Sequence, residues 1–395
     1  MTTPTLCCGF ECGLLILNLG PHWRPNAVVS IDTTTVRNGA RSLHVNPTGS
    51  SGQSQSEMDY ASLVIVTRFY IFFASLPDAN TMVAFETTTG CGLGFKFSDS
   101  SLYAAHNTGT PVFGPSVIPI TTGIWYRADV RINATANPRL TDVQIDGVAC
   151  GQDSLATPSG TMARFALGNG GGNTATFDAY YDDFISSTAS ADYPIGAGYV
   201  NHFVPTADGA HNVAGADDFE RTLTGTDITN ATTNAYQLVD DIPIESALND
   251  WINLTAPPNA TDYVEVVFGP APGISTPTIA PRSVEFLSAF HAAAVQANNL
   301  RIAYRDNNGG TQDDVRNATI GSESILYVRK QYAAIPGGGA WTVTAFNNSR
   351  ARCYSSDANP DPRLDGYMIE AEFETVSQPV IVMAPYLPPV SYGHG

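Results

Sequence analysis

The sequence has very little positive charge for its length. Only 19 of its 395 residues are lysine or arginine, and just two of these are lysines, Lys96 and Lys330. Together with 37 acidic residues, this gives a formal net charge of −18. Such a charge repels polyphosphates and anionic lipid surfaces, so the composition argues against nucleic acid and membranes as partners.

Long apolar runs and a cysteine framework are also missing. No stretch approaches the roughly 20 apolar residues of a membrane-spanning helix, and the run at 14–20 lacks the basic flank of a secretion signal. Cys7, Cys8 and Cys12 lie close together, but no second pair is present to complete a zinc site. We therefore expect small buried thiols in a protein that is made and folded in a reducing cytoplasm.

Glycine and proline are plentiful, whereas the first 200 residues contain no sustained amphipathic helix pattern. Short segments bounded by Gly, Pro, Asn, Asp or Ser follow one another instead. In WYRADVRIN (125–133) polar and apolar side chains alternate, as on a strand with one face in a core. We also expect strands at FLSAFHAAAVQ (286–296) and WTVTAF (341–346). The pattern predicts an all-β protein with two β-sandwich, jelly-roll-like domains.

The same pattern suggests how the chain is divided. We predict a first domain at 1–192, an irregular linker at 193–215 and a second β-sandwich domain at 216–375. The last residues, 376–395, are apolar, rich in proline and nearly uncharged. They are expected to form an extended C-terminal arm that packs on its own domain or on a neighbouring subunit.

Several motifs occur in a recognisable order. GFECG (9–13), NGARSLHVNP (38–47), the segment 123–148, FDAYYDDF (177–184) and the segment 193–209 follow one another. In order and spacing they resemble the laminin-G-like/concanavalin-A-like jelly rolls of tailed-bacteriophage virion proteins. This resemblance implies that residues 1–192 form a concanavalin-A-like jelly roll. It also implies a structural part of the particle or a host-surface adhesin, generally without enzymatic activity.

From the resemblance we expect a non-enzymatic virion protein on the exposed surface of a phage capsid or tail, as a decoration or tail component. Its partners would be further copies of itself, with a trimer preferred, and the major capsid or tail protein. The alternative is an adhesin that attaches the particle to glycans of a host or mucous surface. An exposed aromatic platform would favour the adhesin, and Tyr103, Tyr180 and Tyr181 are candidates for it. Phe10 and Trp125 are expected as anchors of the sandwich core.

Glu11 and Asp183 form the candidate metal site. In similar jelly rolls an early Glu and a late strand Asp converge on a structural calcium ion, which the resemblance makes the one candidate cofactor. Carbonyl oxygens near the NGARS turn (38–42) would complete a calcium site of hard oxygen ligands. The alternative is that Asp182 and Asp183 cap the strand end and point to water.

Two acidic patterns suggest catalysis, and both have a simpler explanation. Asp182 and Asp183 are adjacent on a strand, so their carboxylates should point to opposite faces. Glu370, Glu372 and Glu374 share a strand face, similar to the E-x-D-x-E strand of some jelly-roll glucanases. The alternative is a solvated strand face opposite Ile369, Ala371 and Phe373, and we expect no enzyme.

Overall fold

A computed structural model describes residues 4–11, 23–24, 28–49, 53–56, 60–107, 109–115, 117–155, 160–169, 174–215, 218–221, 225–241, 251–254, 261–292, 299–306, 311–319, 325–355 and 362–375. The predicted arm at 376–395 and Cys12 lie outside these residues. In the described part of the chain, no helix is long and apolar enough to cross a membrane.

The described residues are mostly β-strands, which confirms the all-β prediction. In the first part of the chain the strands are β1 (Pro4–Cys8), β2 (Trp23–Arg24), β3 (Val29–Asp32), β4 (Ser42–Val45), β5 (Gln53–Ser56), β6 (Val64–Ser75), β7 (Thr81–Glu86), β8 (Gly92–Lys96), β9 (Ser101–Asn107), β10 (Pro111–Phe113), β11 (Ile118–Pro119), β12 (Trp125–Asn133), β13 (Arg139–Ile145), β14 (Val148–Leu155), β15 (Phe165–Gly168) and β16 (Asp178–Ser187). In the second part they are β17 (Gly198–Asp208), β18 (Phe219–Arg221), β19 (Thr226–Asp227), β20 (Ile252–Leu254), β21 (Val264–Pro270), β22 (Ser283–Ala292), β23 (Asn299–Arg305), β24 (Gln312–Thr319), β25 (Leu326–Tyr332), β26 (Arg350–Ser355) and β27 (Pro362–Glu374). Short helical segments are Phe97–Asp99, Ser190–Asp192, Ala235–Leu238 and the α-helix α1 (Val343–Asn347).

The first domain is a sandwich of two antiparallel sheets. The front sheet has the order β14–β13–β12–β6–β16–β4–β3, with β1 also paired to β16, and the back sheet has the order β10–β9–β8–β7–β15–β5–β2, with β11 paired to β9. Apolar residues at alternate strand positions fill the space between them, as in β12, where Tyr126, Ala128, Val130 and Ile132 are buried. The alternation predicted for this strand therefore gives the front sheet one face in the core and one outer face.

In its described residues, the second domain is built from one antiparallel sheet of eleven strands, the curled sheet, which encloses its own apolar core. Its strands β24 and β25 approach each other, since the Tyr332 hydroxyl donates to Asp313 at 2.7 Å and Lys330 lies 2.6 Å from the same carboxylate. The structure differs here from the predicted linker at 193–215. Eleven of those residues form β17, which pairs with both β21 and β27.

Two strand predictions in the second half had different outcomes. Of the segment at 286–296, whose alanines would also suit a helix, residues 286–292 are a strand, because β22 pairs with β25 and β27 on its two sides, and residues 293–296 lie outside the described residues. The prediction for 341–346 is wrong, since residues 343–347 form α1. Thr342 begins this helix, and its side chain accepts a hydrogen bond from the Ala345 N–H at 3.0 Å. An N-cap threonine of this kind favours a helical turn over a strand.

Candidate functional site

The outer face of the front sheet is divided into two halves. The docked half is covered by the second domain and includes Arg68, Asp129, Asp182 and Asp183, all fully buried. The open half carries four aromatic side chains that are only partly buried, His44, Phe72, Trp125 and Tyr180. Because strand neighbours of these four residues are in the sandwich core, the aromatic rings face away from it.

A bulge in β16 lies in the docked half. The pairing of β16 with β6 shifts register between Asp182 and Ile185, and Asp183 adopts a left-handed conformation with φ of 53°. On the opposite edge of β16, β4 pairs with residues before the bulge and β1 with residues after it. The gap between these two strands receives Glu11, just after β1, and the turn at 37–41, just before β4.

The two aspartates meet this turn from the same side. The Asp182 carboxylate accepts hydrogen bonds from the Arg37 and Asn38 N–H groups at 2.9 and 3.2 Å. Asp183 pairs with the Arg37 guanidinium and accepts from the Val200 N–H at 2.5 Å. The prediction that they point to opposite faces is wrong because the bulge interrupts the strand alternation. The prediction that they point to water is also wrong, because the second domain covers them.

Glu11 is fully buried in the same gap. It accepts a hydrogen bond from the Ala40 N–H at 2.9 Å, and its own N–H donates to Glu370 at 3.0 Å. Burial raises the pKa of the Glu11 carboxyl to about 8, against the opposing effect of the turn's N–H groups. His202 Nδ1 lies 3.2 Å from Glu11 Oε2, but it is not aligned for a hydrogen bond.

The structure thus brings Glu11 and Asp183 together, as the metal-site prediction required, but the groups around them do not fit calcium. Calcium needs oxygen ligands, whereas the turn presents N–H groups and the Arg37 guanidinium to the carboxylates. In the described part of the chain, no group of three His, Cys, Asp or Glu side chains is arranged to hold a metal ion. Backbone N–H groups and the Arg37 guanidinium of the protein itself donate hydrogen bonds to these carboxylates.

The acidic strand near the chain end lies on the other side of the same contact. Glu370 and Glu372 are fully buried, so the solvated strand face predicted for them is wrong. Glu372 pairs with Arg68 at 2.9 Å and with Arg282, whose Nε donates to it at 2.7 Å. These arginines neutralise Glu372 where the two domains meet, and Arg68 also donates to the Asp183 carbonyl at 3.0 Å.

The open half carries an aromatic row that crosses four strands. Tyr180 in β16 is directly opposite His44 in β4 and Phe72 in β6, and Phe72 is opposite Trp125 in β12. The ring centroids are 4.5 Å apart for His44 and Tyr180, 5.9 Å for Tyr180 and Phe72, and 5.4 Å for Phe72 and Trp125. The cross-strand register therefore places the rings in one continuous line.

Polar groups border the His44 end of the row. His44 Nε2 lies 2.7 Å from Asp178, and Asp32 accepts hydrogen bonds from the Thr34 and Thr35 N–H groups at 2.7 and 2.6 Å. Burial, and then the nearby Asp178 charge, raise the pKa of the Tyr180 hydroxyl. At the other end Ile124 is 50% exposed, next to Trp125. The row is thus aromatic along its length and acidic at one end.

Of the three tyrosines predicted for a platform, only Tyr180 lies on the row. Tyr181 is fully buried and donates to the Val83 carbonyl at 2.7 Å, while Tyr103 is 5% exposed and donates to Asp99 at 2.6 Å. Trp125 is on the outer face, so its prediction as a core anchor is wrong, whereas Phe10 is in the core. The alternation in WYRADVRIN already places Trp125 with the polar residues, which is the signal that could have identified it.

No family model matches the sequence, and no curated protein matches it. Among solved structures, a sialidase aligns with 43% of this chain and 17% of its own length, at 11% identity and a TM-score of 0.33. The binding domain of Paraclostridial Mosquitocidal Protein 1 aligns with 67% of this chain and 75% of its own, at 11% identity and a TM-score of 0.35. The carbohydrate binding module CBM66 from Bacillus subtilis aligns with 43% of this chain and 97% of its own, at 11% identity and a TM-score of 0.30. A carbohydrate binding module and the binding domain of a mosquitocidal protein are thus among the similar structures, and at these TM-scores the likeness carries no argument about this chain.

Proposed function

We propose that this protein is a non-enzymatic glycan-binding protein and that the aromatic row is its binding surface. The observation that carries the proposal is the line of four partly exposed rings, His44, Tyr180, Phe72 and Trp125, across the open half of the front sheet. Partly exposed aromatic side chains that lie in a contiguous patch mark a binding surface more often than scattered ones.

The chemistry of the row suits a sugar chain. One face of a pyranose ring carries C–H groups with slight positive charge, and the face of an aromatic ring is slightly negative, so the two attract each other. Four neighbouring strands span roughly 14 Å, from three spacings of about 4.8 Å, which is long enough for a short oligosaccharide. Asp178 and Asp32 at one end would accept hydrogen bonds from sugar hydroxyls and repel acidic sugars.

The test is binding to neutral glycans with matched aromatic variants. Wild-type protein is screened on a glycan array, and its best ligand is measured by calorimetry with Trp125→Ala, Phe72→Ala and Phe97→Ala. Phe97 is 56% exposed and lies between β8 and β9 of the back sheet, whereas the row is on the front sheet, so it controls for the loss of any exposed ring. We expect the first two variants to bind at least about tenfold more weakly and Phe97→Ala to bind like wild type. No binding by wild type, or equal binding by all four proteins, would reject the proposal.

A second candidate function is that of a structural component on the surface of a phage capsid or tail, as the sequence resemblance implies. The observation that favours it is the exposed Ile124 beside Trp125, because an apolar aromatic patch also suits a contact between identical subunits. The test is to locate the chain on purified particles by electron microscopy and to measure its mass in solution. A contact through the row predicts an oligomer that Trp125→Ala dissociates, and a wild-type monomer absent from particles would exclude it.

A further inference from the structure

A cavity of about 330 Å³ opens on the second domain, remote in sequence from the aromatic row. It is lined by Asn212, Thr261, Tyr263, Gln312, Arg352 and Tyr354. This volume is at the lower end of the range of small-molecule sites. Among the described residues, the lining combines aromatic, amide, hydroxyl and guanidinium groups and contains no carboxylate, in a protein whose formal net charge is −18.

Strand pairing holds these groups in place. Arg352 and Tyr354 lie two positions apart on β26, so both project from the outer face of the curled sheet. The backbone groups of Tyr263 and Asn212 pair with each other at 2.8 and 3.0 Å, which fixes one wall. Gln312 on β24 forms the opposite wall, and its amide donates to the Tyr354 hydroxyl at 2.7 Å.

The charged side chains next to the cavity, on Glu265 and its partners, have an excess of positive charge. Glu265 is fully buried and accepts hydrogen bonds from Arg305 at 3.0 Å, Arg350 at 3.1 Å and Arg352 at 2.6 Å. Burial by itself would raise the pKa of Glu265, but these arginines outweigh it and lower that pKa, so the carboxylate is ionised. One negative charge therefore faces three positive ones. Nearby, Asp314 accepts from the Tyr354 hydroxyl at 2.5 Å.

Arg352 has donors left for a ligand. Its guanidinium has five N–H donors, and three contacts use one each: Glu265, the Tyr263 hydroxyl at 2.9 Å and Gln312 at 3.4 Å. The guanidinium carbon lies 3.6 Å from the centre of the Tyr263 ring, and this cation–π contact holds the group over the ring. One N–H of each terminal nitrogen therefore remains for a ligand, which is the number that a carboxylate needs to accept two hydrogen bonds from one guanidinium.

We propose that this cavity, the Arg352 site, binds a monosaccharide that carries a carboxylate, such as a uronic acid. The carboxylate would lie against Arg352, and the sugar hydroxyls would meet the Asn212 amide and the Thr261 hydroxyl. Gln312 donates to Tyr354 and to Asp314 at 3.0 Å, so a sugar hydroxyl would donate to its side-chain oxygen. The proposal does not rest on glycan binding by the aromatic row, whose acidic end favours neutral sugars. The two sites lie on different domains and take ligands of different charge.

The test is calorimetry, at low ionic strength, with D-glucuronate, D-glucose and acetate as probes. Binding of glucuronate at least about tenfold tighter than that of glucose or acetate is the expected result, because only glucuronate offers both the charge and the ring. If glucose binds equally well, the carboxylate and its contact with Arg352 do not contribute to binding. If acetate binds equally well, the cavity binds anions without recognising the sugar ring. Either result, or no binding of glucuronate, overturns the proposal.

Three variants test the site itself. Arg352→Gln should abolish glucuronate binding, while Arg131→Gln, an arginine of the first domain paired with Asp142, should leave it unchanged. Asn212→Ala changes an exposed wall residue and should weaken binding several-fold even if Arg352→Gln does not fold. Unchanged binding in Asn212→Ala, or in a folded Arg352→Gln, would overturn the proposal. Trp125→Ala should bind glucuronate normally, which separates this result from the fate of the aromatic row.

Discussion

The two halves of the front sheet's outer face use the same strands for different purposes. On β6, Arg68 and Phe72 are four residues apart and project from the same face. Arg68 is fully buried against Glu372 of the second domain, whereas Phe72 is only partly buried between Tyr180 and Trp125. One half of the face is committed to the protein's own second domain, and the other half remains open to a ligand.

The difference in chemistry explains the difference in use. Buried charges are costly to desolvate, and they tolerate only the arrangement in which every charge has its partner. The docked half is therefore suited to fix how the two domains meet, with Arg37 paired to Asp183 and with Arg68 and Arg282 both paired to Glu372. Aromatic rings make less directional contacts, so the open half can accept an external partner without a unique geometry.

The largest expected effect comes from removing one charge of the docked half. Arg68→Ala leaves the Asp183 carbonyl without its donor and Glu372 with Arg282 alone, so we expect a loss of about 3–5 kcal/mol in the free energy of unfolding. Phe72→Ala, four residues along the same strand, should cost about 1–2 kcal/mol because its ring is only partly buried. Denaturant unfolding of the two variants measures both values. Equal losses would mean that the two halves do not differ in how they stabilise the protein.

A smaller effect is expected at the turn that meets Glu11. Gly39 has φ of 72°, and a Cβ added there would lie 1.8 Å from Glu11 Oε1. Gly49 has nearly the same φ, 75°, but a Cβ added there meets nothing within 4 Å. Both alanine variants acquire the same backbone strain, so their difference isolates the approach to Glu11. We expect Gly39→Ala to lose about 2–3 kcal/mol more than Gly49→Ala in thermal or denaturant unfolding, and equal losses would contradict this contact.

The sequence predicted the repeating part of the structure better than the exceptions to it. Alternation identified β12 and β22 because side chains of a regular strand follow a period of two. At Asp183 the bulge interrupts that period, and no local residue pattern in DAYYDDFISS indicates a bulge. The burial of Asp182 could not be inferred from this segment either, because it depends on the second domain, which covers that face.

Contacts between residues far apart in the chain are a second limit on what the sequence could predict. Glu370 and Glu372 alternate with apolar residues, which is the pattern of a strand with one face in water. Their burial depends on Arg68 and Cys7, more than 300 residues earlier, which cover that face in the folded protein. The aromatic row has the same origin, because its four members lie on four different strands and become neighbours only through sheet register.

The smallest of these effects is a dependence of stability on pH that arises in the docked half. The pKa of Glu11 is raised by burial from 4.5 to about 8, and that of Glu285 is raised by burial to about 7. A carboxyl group whose pKa is higher in the folded state stabilises the fold fully below its unfolded pKa of 4.5. That stabilisation is lost as the pH rises through about 8. His202 acts in the opposite direction, because burial and then Arg41 lower its pKa to about 4, so its contribution is lost as the pH falls below 6.5.

Glu11→Gln separates these contributions, because glutamine keeps an acceptor for the Ala40 N–H and cannot ionise. Between pH 5.5 and 8.5 we expect the free energy of unfolding of wild type to fall by about 1–2 kcal/mol more than that of Glu11→Gln. Glu374→Gln, at the exposed end of the strand that carries Glu370, should follow wild type. Denaturant unfolding at both pH values gives the comparison. Parallel pH profiles for wild type and Glu11→Gln would mean that Glu11 is already ionised in the folded protein at pH 5.5. The docked half would then hold a buried negative charge at Glu11, contrary to the raised pKa.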